Sequence, residues 1–188
     1  MNRQVFEFKV PQRFVTGTVG MPGERTFFLQ ARSGSQLTSV IAEKQQIAVL
    51  AERIDQLLDE VIRLSEHGLD IPASGVDALA DTGPLDVPIS EEFRVGAMAL
   101  GWDDTDSLVV VEAHAVDEES DEVPELAEDD PDAPDTLRVW LTPVQARSFA
   151  VRARAVVSAG RAPCPFCSQP LDPEGHVCPR ANGYRRRA

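Results

Sequence analysis

Apolar and polar residues alternate from the start of the chain. Phe6, Phe8 and Val10 are separated by Glu7 and Lys9, the period-2 pattern of a strand with one covered face. Phe14 to Val19 and Arg25 to Ala31 read as two further strands. Gly20-Met21-Pro22-Gly23-Glu24 lies between them, and a hairpin is expected there because Gly supplies positive φ and Pro presets its own. A fourth short strand, Leu37 to Ile41, leads into a helix. Over roughly 43–66, Ile47, Leu50, Ala51, Ile54, Leu57, Leu58, Val61 and Leu64 recur at steps of three and four, which draws one apolar stripe along a helix. The pattern stops near His67-Gly68.

Residues 68–90 contain Pro72, Gly75, Gly83, Pro84 and Pro88 among small residues and read as a linker. Strand patterns return at Phe93–Leu100, Leu108–Ala115 and Thr136–Leu141. A second helix is expected from Pro143 to Ala159, with Thr142 as its N-cap, Pro143 at the first helical position and Gly160 just past its end. The halves resemble each other. Leu37-Thr38-Ser39-Val40-Ile41 before one helix matches Leu137-Arg138-Val139-Trp140-Leu141 before the other, which sets Gln45 over Gln145 and Val49 over Phe149. Phe14-Val15-Thr16-Gly17 resembles Phe93-Arg94-Val95-Gly96, and Leu29-Gln30-Ala31-Arg32 resembles Val111-Glu112-Ala113-His114. The expected fold class is α+β, with two pseudo-symmetric meander-plus-helix repeats packed as one core, because neither half readily buries its own apolar surface. The repeats are placed at 1–67 and 91–160, and residues 161–188 are left as a small C-terminal module.

Composition and charge refine this picture. The chain has 188 residues, 43 % of them hydrophobic, enough for one packed domain or two small ones. No apolar run is long enough to cross a membrane, and the N-terminal residues show no export signal, so a cytoplasmic protein is expected. The net charge is −13, yet 11 acidic residues and no basic one lie between Asp117 and Asp135, and the rest of the chain carries only −2. That segment has too few large apolar side chains to offset the entropy of ordering, and 117–135 is expected to be a disordered acidic loop inserted in the second repeat.

The three cysteines all lie near the C-terminus, in Cys164-Pro165-Phe166-Cys167 and in His176-Val177-Cys178. An odd number at such close spacing argues against a secreted disulfide framework. Cys164, Cys167, His176 and Cys178 form a Cys3His set of the kind that tetrahedral Zn²⁺ accepts, with thiolates as the ligating species. Four protein ligands fill that coordination sphere, so the expected ion is structural. The competing reading is redox, because Cys-Pro-Phe-Cys also resembles the active-site motif of glutaredoxins. That motif belongs near the start of a βαβ fold, and Ser168-Gln169-Pro170 is a poor helix start.

Arg180, Tyr184, Arg185, Arg186 and Arg187 follow the metal motif and are candidates for partner contact, either with a protein or with single-stranded nucleic acid. Asp103-Asp104-Thr105-Asp106 has the oxygen ligands of a hard-cation site but reads better as a polar turn. His67 and His114 have no evident partner, His114 alternating outward from its strand. Lys44, Gln45 and Gln46 open the first helix as solvated residues. No phosphate loop, nucleophile elbow or triad is visible.

Val5-Phe6-Glu7-Phe8, Glu43-Lys44-Gln45-Gln46 and the closing Cys-Pro-Phe-Cys…Gly-His-Val-Cys-Pro-Arg-Ala-Asn-Gly-Tyr resemble an uncharacterised family of actinobacterial proteins, a domain of unknown function with a repeated unit. The resemblance implies a cytosolic protein and metal ligands at Cys164, Cys167, His176 and Cys178, and it implies no activity. The expectation is therefore a non-catalytic, zinc-stabilised adaptor or regulatory protein. A nucleic-acid-binding protein acting through the zinc tail is one alternative, and an enzyme with a pocket between the repeats is another.

Overall fold

The computed structural model describes residues 3–21, 23–65, 71–73, 81–117, 133–160, 164–167, 171, 178 and 180. The strands are β1 (Val5–Lys9), β2 (Arg13–Val19), β3 (Thr26–Ser33), β4 (Gln36–Ala42), β5 (Glu91–Asp103), β6 (Leu108–Ala115) and β7 (Thr136–Leu141). Helix α1 (Lys44–Leu64) follows β4, and α2 (Pro143–Ser158) follows β7. All seven strands form one sheet, in the order β1-β7-β6-β5-β4-β3-β2. The fold is mixed α+β, as the two hydrophobic periods predicted.

Two antiparallel meanders, β2-β3-β4 and β5-β6-β7, each run into a helix. They join through a parallel pairing of β4 with the start of β5, and β1 adds in parallel to β7. The two outermost strands, β1 and β2, are thus consecutive in the chain and separated only by Val10, Pro11 and Gln12. A flat seven-stranded sheet would hold its edges about 29 Å apart, whereas four extended residue steps reach about 14 Å. The sheet must curl until β1 and β2 nearly meet, and β1 accordingly approaches β3. Val10 takes the kink with a left-handed φ of 48°, and its N–H extends the β1–β7 ladder to Trp140 O at 2.9 Å.

The inner face of this curl is apolar. Phe8, Phe14, Leu29, Val40, Val111, Leu137 and Val139 meet Ile47, Leu50, Ile54 and Leu58 of α1 and Ala146, Phe149 and Ala153 of α2. Phe14 stacks on Phe149 with ring centroids 4.8 Å apart. Both helices open with a capping box in which a Gln at N3 bonds the N-cap backbone: Glu43 with Gln46, and Thr142 with Gln145. Each Gln amide then reaches across a strand junction. Gln46 Nε2 donates to Val95 O and Gly96 O, and Gln145 Nε2 donates to Pro11 O. The capping glutamine is Gln46 in α1 and Gln145 in α2, whereas the sequence comparison sets Gln45 over Gln145. Across the first meander Thr16 pairs with Leu29 and Leu29 with Val40, and across the second Leu100 pairs with Val111 and Val111 with Val139. A bulge between Val95 and Ala97 bends β5 at Gly96, where a Cβ would lie 2.8 Å from Val116 Cα.

The described part of the expected linker is docked on the sheet. Arg13 binds Asp81 at 2.7 Å and Asp86 at 2.9 Å, and Arg32 reaches Asp86 at 3.2 Å. Gln30 clasps the Asp86 backbone from both sides, donating to its O at 3.0 Å and accepting from its N at 2.7 Å. Leu85 fills the space beside Gly17, where a Cβ would come within 2.7 Å of it. Arg152 of α2 is buried and donates to Thr16 O on the open edge of β2, and also to Asp81 O and Gly83 O. Burial depresses its pKa, against the pull of Asp81. Residues 81–86 thus form a strap that closes the β2 edge with help from α2.

Arg147 links the helices. It is 1 % exposed, pairs with Asp55 and Asp59 of α1, and donates to Pro72 O at 3.0 Å. Arg147→Ala empties a buried site and removes the donors to Asp55, Asp59 and Pro72 O, while Asp55 keeps its pair with Arg154. The change is expected to cost about 1–3 kcal/mol in urea unfolding, whereas Lys9→Ala, which breaks an exposed pair with Asp106, leaves the midpoint in place. A loss for Arg147→Ala no larger than for Lys9→Ala would contradict the assignment.

The strap carries its own pH signature. The Arg13 guanidinium holds the carboxyls of Asp81 and Asp86 below their usual 3.8. Groups depressed in the folded state add stability that is complete above the unfolded value and is lost as pH falls below it. Protection of the amides across 81–86, measured relative to their intrinsic exchange rates at each pH, should therefore fall on acidification below about pH 4, before the sheet opens, and Arg13→Leu should lose that protection already at neutral pH. Equal exchange in both proteins at neutral pH would show that Arg13 does not hold the strap.

Candidate metal centre

Cys164, Pro165, Phe166 and Cys167 make a tight turn, with Cys164 buried and Cys167 half-buried. The turn aims backbone N–H groups at the first sulfur. Hydrogen bonds from the N–H of Cys167 and then of Phe166 lower the Cys164 thiol to about 6, with smaller help from the Cys167 and Cys178 side chains and against the effect of burial. Arg180 backs the turn by donating to Phe166 O at 3.2 Å. Cys178 is brought in from the far end of the motif and is also buried.

The three sulfurs lie within 4.8 Å of one another, and Cys164 Sγ is 3.7 Å from Cys178 Sγ. A disulfide needs about 2.05 Å, and none of the three cysteines is in a disulfide. Around a tetrahedral ion with metal–sulfur bonds of about 2.3 Å, neighbouring sulfurs stand about 3.8 Å apart. The Cys164–Cys178 separation fits one edge of that tetrahedron, so the three cysteines can hold a metal ion. Of the sequence candidates, Cys164, Cys167, Cys178 and Arg180 are placed, and Arg180 is exposed. His176, Tyr184, Arg185, Arg186 and Arg187 lie outside the described residues, as do His67 and residues 118–132 of the acidic segment.

One site escaped the sequence reading. His114, expected to point outward without a partner, is buried, and so are Glu112, Thr136 and Arg138 beside it. These residues share the face opposite the apolar core, with Glu112 opposite Arg138 and His114 opposite Thr136 across the β6–β7 ladder. Arg138 Nε pairs with Glu112, its Nη1 donates to Glu7 at 2.9 Å, and its guanidinium lies 6.0 Å from the Trp140 ring centre. The Thr136 hydroxyl donates to Pro134 O, which leaves its oxygen to accept from His114 Nδ1 at 3.0 Å. His114 Nε2 faces Glu112 Oε2 at 3.4 Å. In the first meander a buried neutral pair crosses β3 and β4, Gln30 Nε2 donating to Ser39 Oγ at 3.0 Å.

The remaining candidates resolve simply. Asp103 Oδ1 accepts from the N–H groups of Thr105 and Asp106, so the acidic run is a polar turn. Gln46 is spent on its cap and on β5, while Gln45 lines a groove of about 500 Å³ between α1 and β5. The groove walls include Val49, Leu50, Met98, Ala99 and Leu100. Among the described residues, no helix is long and apolar enough to cross a membrane.

A curled α+β sheet carrying a C-terminal three-cysteine cluster is the class this chain defines. Residues 6–178 match the family described as "Protein of unknown function (DUF3090)", and the chain belongs to it. No curated protein and no solved structure matches the chain.

The Glu112–Arg138 pair makes a direct test possible. Glu112→Ala removes the buried carboxylate that pairs with the Arg138 guanidinium and is expected to cost about 3–5 kcal/mol, read from the urea midpoint. A shift no larger than that of Glu7→Ala would show that the pair does not hold β6 to β7.

Proposed function

We propose that this chain is a non-catalytic adaptor or regulatory protein whose C-terminal module is folded by one structural zinc ion. The spacing of the Cys164 and Cys178 sulfurs, set against a zinc–thiolate tetrahedron, is the observation that carries the reading. In it, Cys164, Cys167 and Cys178 supply thiolates and His176 supplies the fourth ligand. Four protein ligands leave no position for a reactive water, so the ion acts as a scaffold. Its role is to present Arg180, Tyr184 and Arg185 to Arg187 to a protein partner.

We also infer that the two meander–helix halves are one unit used twice. Support comes from the shared register: Gln46 with Gln145 at the caps, Leu50 with Phe149 and Ile54 with Ala153 on the covered helix faces, Gln30 with Glu112 on the outer sheet face. The groove at the junction of the halves has a mostly apolar lining, which favours a binding role over an enzyme.

Protein purified without a metal-affinity tag should contain about one equivalent of zinc, and Cys164→Ser should lose it. Less than half an equivalent, unchanged by Cys164→Ser, would sink the zinc assignment. Affinity capture from native lysate should yield protein partners that resist nuclease and are lost when the chain ends at Gly160. The same partners surviving that deletion would remove the tail from the reading, and partners released by nuclease would shift it to nucleic acid.

A further inference from the structure

Strand β5 serves two neighbours in turn. Its start pairs with β4 as far as Ile41↔Arg94, and after the bulge at Gly96 its other side pairs with β6 to Asp103. From Gly96 onward the side once taken by β4 faces α1, and the 500 Å³ groove lies between that strand edge and the helix. Along an antiparallel strand, alternate residues turn their N–H and C=O groups away from the paired neighbour. Gln46 takes Val95 O and Gly96 O where this edge begins; beyond them no described strand pairs with it, and an edge of this kind is a template for an added strand.

The matching junction at the other end of the sheet is closed. There the edge of β2 faces α2, and Arg152 donates to Thr16 O and to Asp81 O, Gly83 O and the Asp81 carboxylate. The edge is sealed by an arginine and an extended acidic segment. In the register that sets Gln46 with Gln145, Arg53 takes the place of Arg152, and Leu100 takes that of Thr16. Arg53 and Leu100 both line the groove. Arg53 is exposed and donates to Gln56 one turn along its own helix, and Val49 beside it is 45 % exposed. What the strap supplies at β2 is supplied by no described segment at β5.

The charge around the mouth indicates what would fit. An adjoining pocket of about 220 Å³ shares Glu43 with the groove and is walled by Arg25, Lys44 and Arg94. Glu43 pairs with Arg94 at 2.7 Å, so together with Arg53 four cations face one carboxylate, in a chain whose net charge is −13. An acyl or aromatic ligand would fill the apolar floor but would leave the strand edge without hydrogen-bond partners.

We propose that this groove binds an extended, acidic segment of a partner protein as a strand added to β5, with a carboxylate on Arg53 as Asp81 sits on Arg152. The inference rests on the duplicated register and is independent of the zinc tail. Capture by the tail and peptide binding in the groove are separate measurements, and either can fail alone.

The probe is a fluorescein-labelled peptide of about eight residues, alternating Val with Glu, titrated into the full-length protein and followed by anisotropy and amide exchange. Binding is expected to slow exchange within 97–103. It should weaken at least about tenfold when Lys replaces Glu, when alternate peptide amides are N-methylated, and in Arg53→Glu. Val49→Asp, a second exposed change, should weaken it as well while the urea midpoint stays in place. The proposal is overturned if the acidic peptide does not bind. It is equally overturned if the N-methylated peptide binds as well, if Arg53→Glu has no effect, or if 97–103 is already protected because a second copy or another segment of the chain occupies the edge.

Discussion

Val10, Pro11 and Gln12 connect the two outermost strands of the sheet, and their short reach constrains every other element. Because they cannot span a flat sheet, β1 and β2 are drawn together, and the apolar side chains of all seven strands turn toward one interior. The curl brings α2, which follows β7, against β2 at the opposite end of the strand order, where Phe149 reaches Phe14. It also puts Gln145 beside Pro11, so the second helix cap bonds to the kink itself. Closing a sheet on itself is one of the few ways to remove exposed edges, and here the closure hinges on a β-branched residue held at positive φ.

Arginines finish what apolar packing leaves open. Arg147 ties α2 to α1 and to the backbone beyond it, Arg152 seals the β2 edge beneath the strap, and Arg138 holds β1 and β7 to β6 through Glu7 and Glu112. The guanidinium group suits these places because it offers five donors in a fixed plane and stays charged when buried. Two of the three spend donors on backbone carbonyls that water would otherwise serve. Buried pairs of this kind are costly to desolvate and weak evidence for stability by themselves; their effect is to fix which helix meets which strand.

The strands and helices were legible in the sequence because each is set by a local period. Thr136–Leu141 and the Thr142 cap fall where the pattern placed them, and α1 ends at Leu64, short of His67. The cysteine cluster was legible for a similar reason, since the ligands of the turn lie two residues apart and their chemistry is local. What could not be read depends on partners distant in sequence. His114 does lie on the face opposite the apolar core, as its alternation places it, but its burial and its partner Thr136 depend on the neighbouring strand. Gly83 and Pro84 looked like linker, and nothing nearby announced that Arg13, Gln30 and Arg152 would grip that stretch. At the helix starts the sequence comparison sets Gln45 over Gln145, whereas the residue that caps α1 is Gln46. Gln45 and Gln46 are identical in type, and only the cap distinguishes them.

The pairing of β1 with β7 also has a consequence in time. Glu7 and its partner Arg138 are 131 residues apart, so β1 leaves the ribosome well before the strand it pairs with. At about 5–20 residues per second, that interval is on the order of ten seconds. During it Phe6 and Phe8 have no ladder to join, and the β2-β3-β4 meander with α1 must hold itself together unclosed. The alternation of Glu7 and Lys9 with those aromatics keeps the waiting segment charged at every second position, which suits a nascent strand that must stay soluble until its edge arrives.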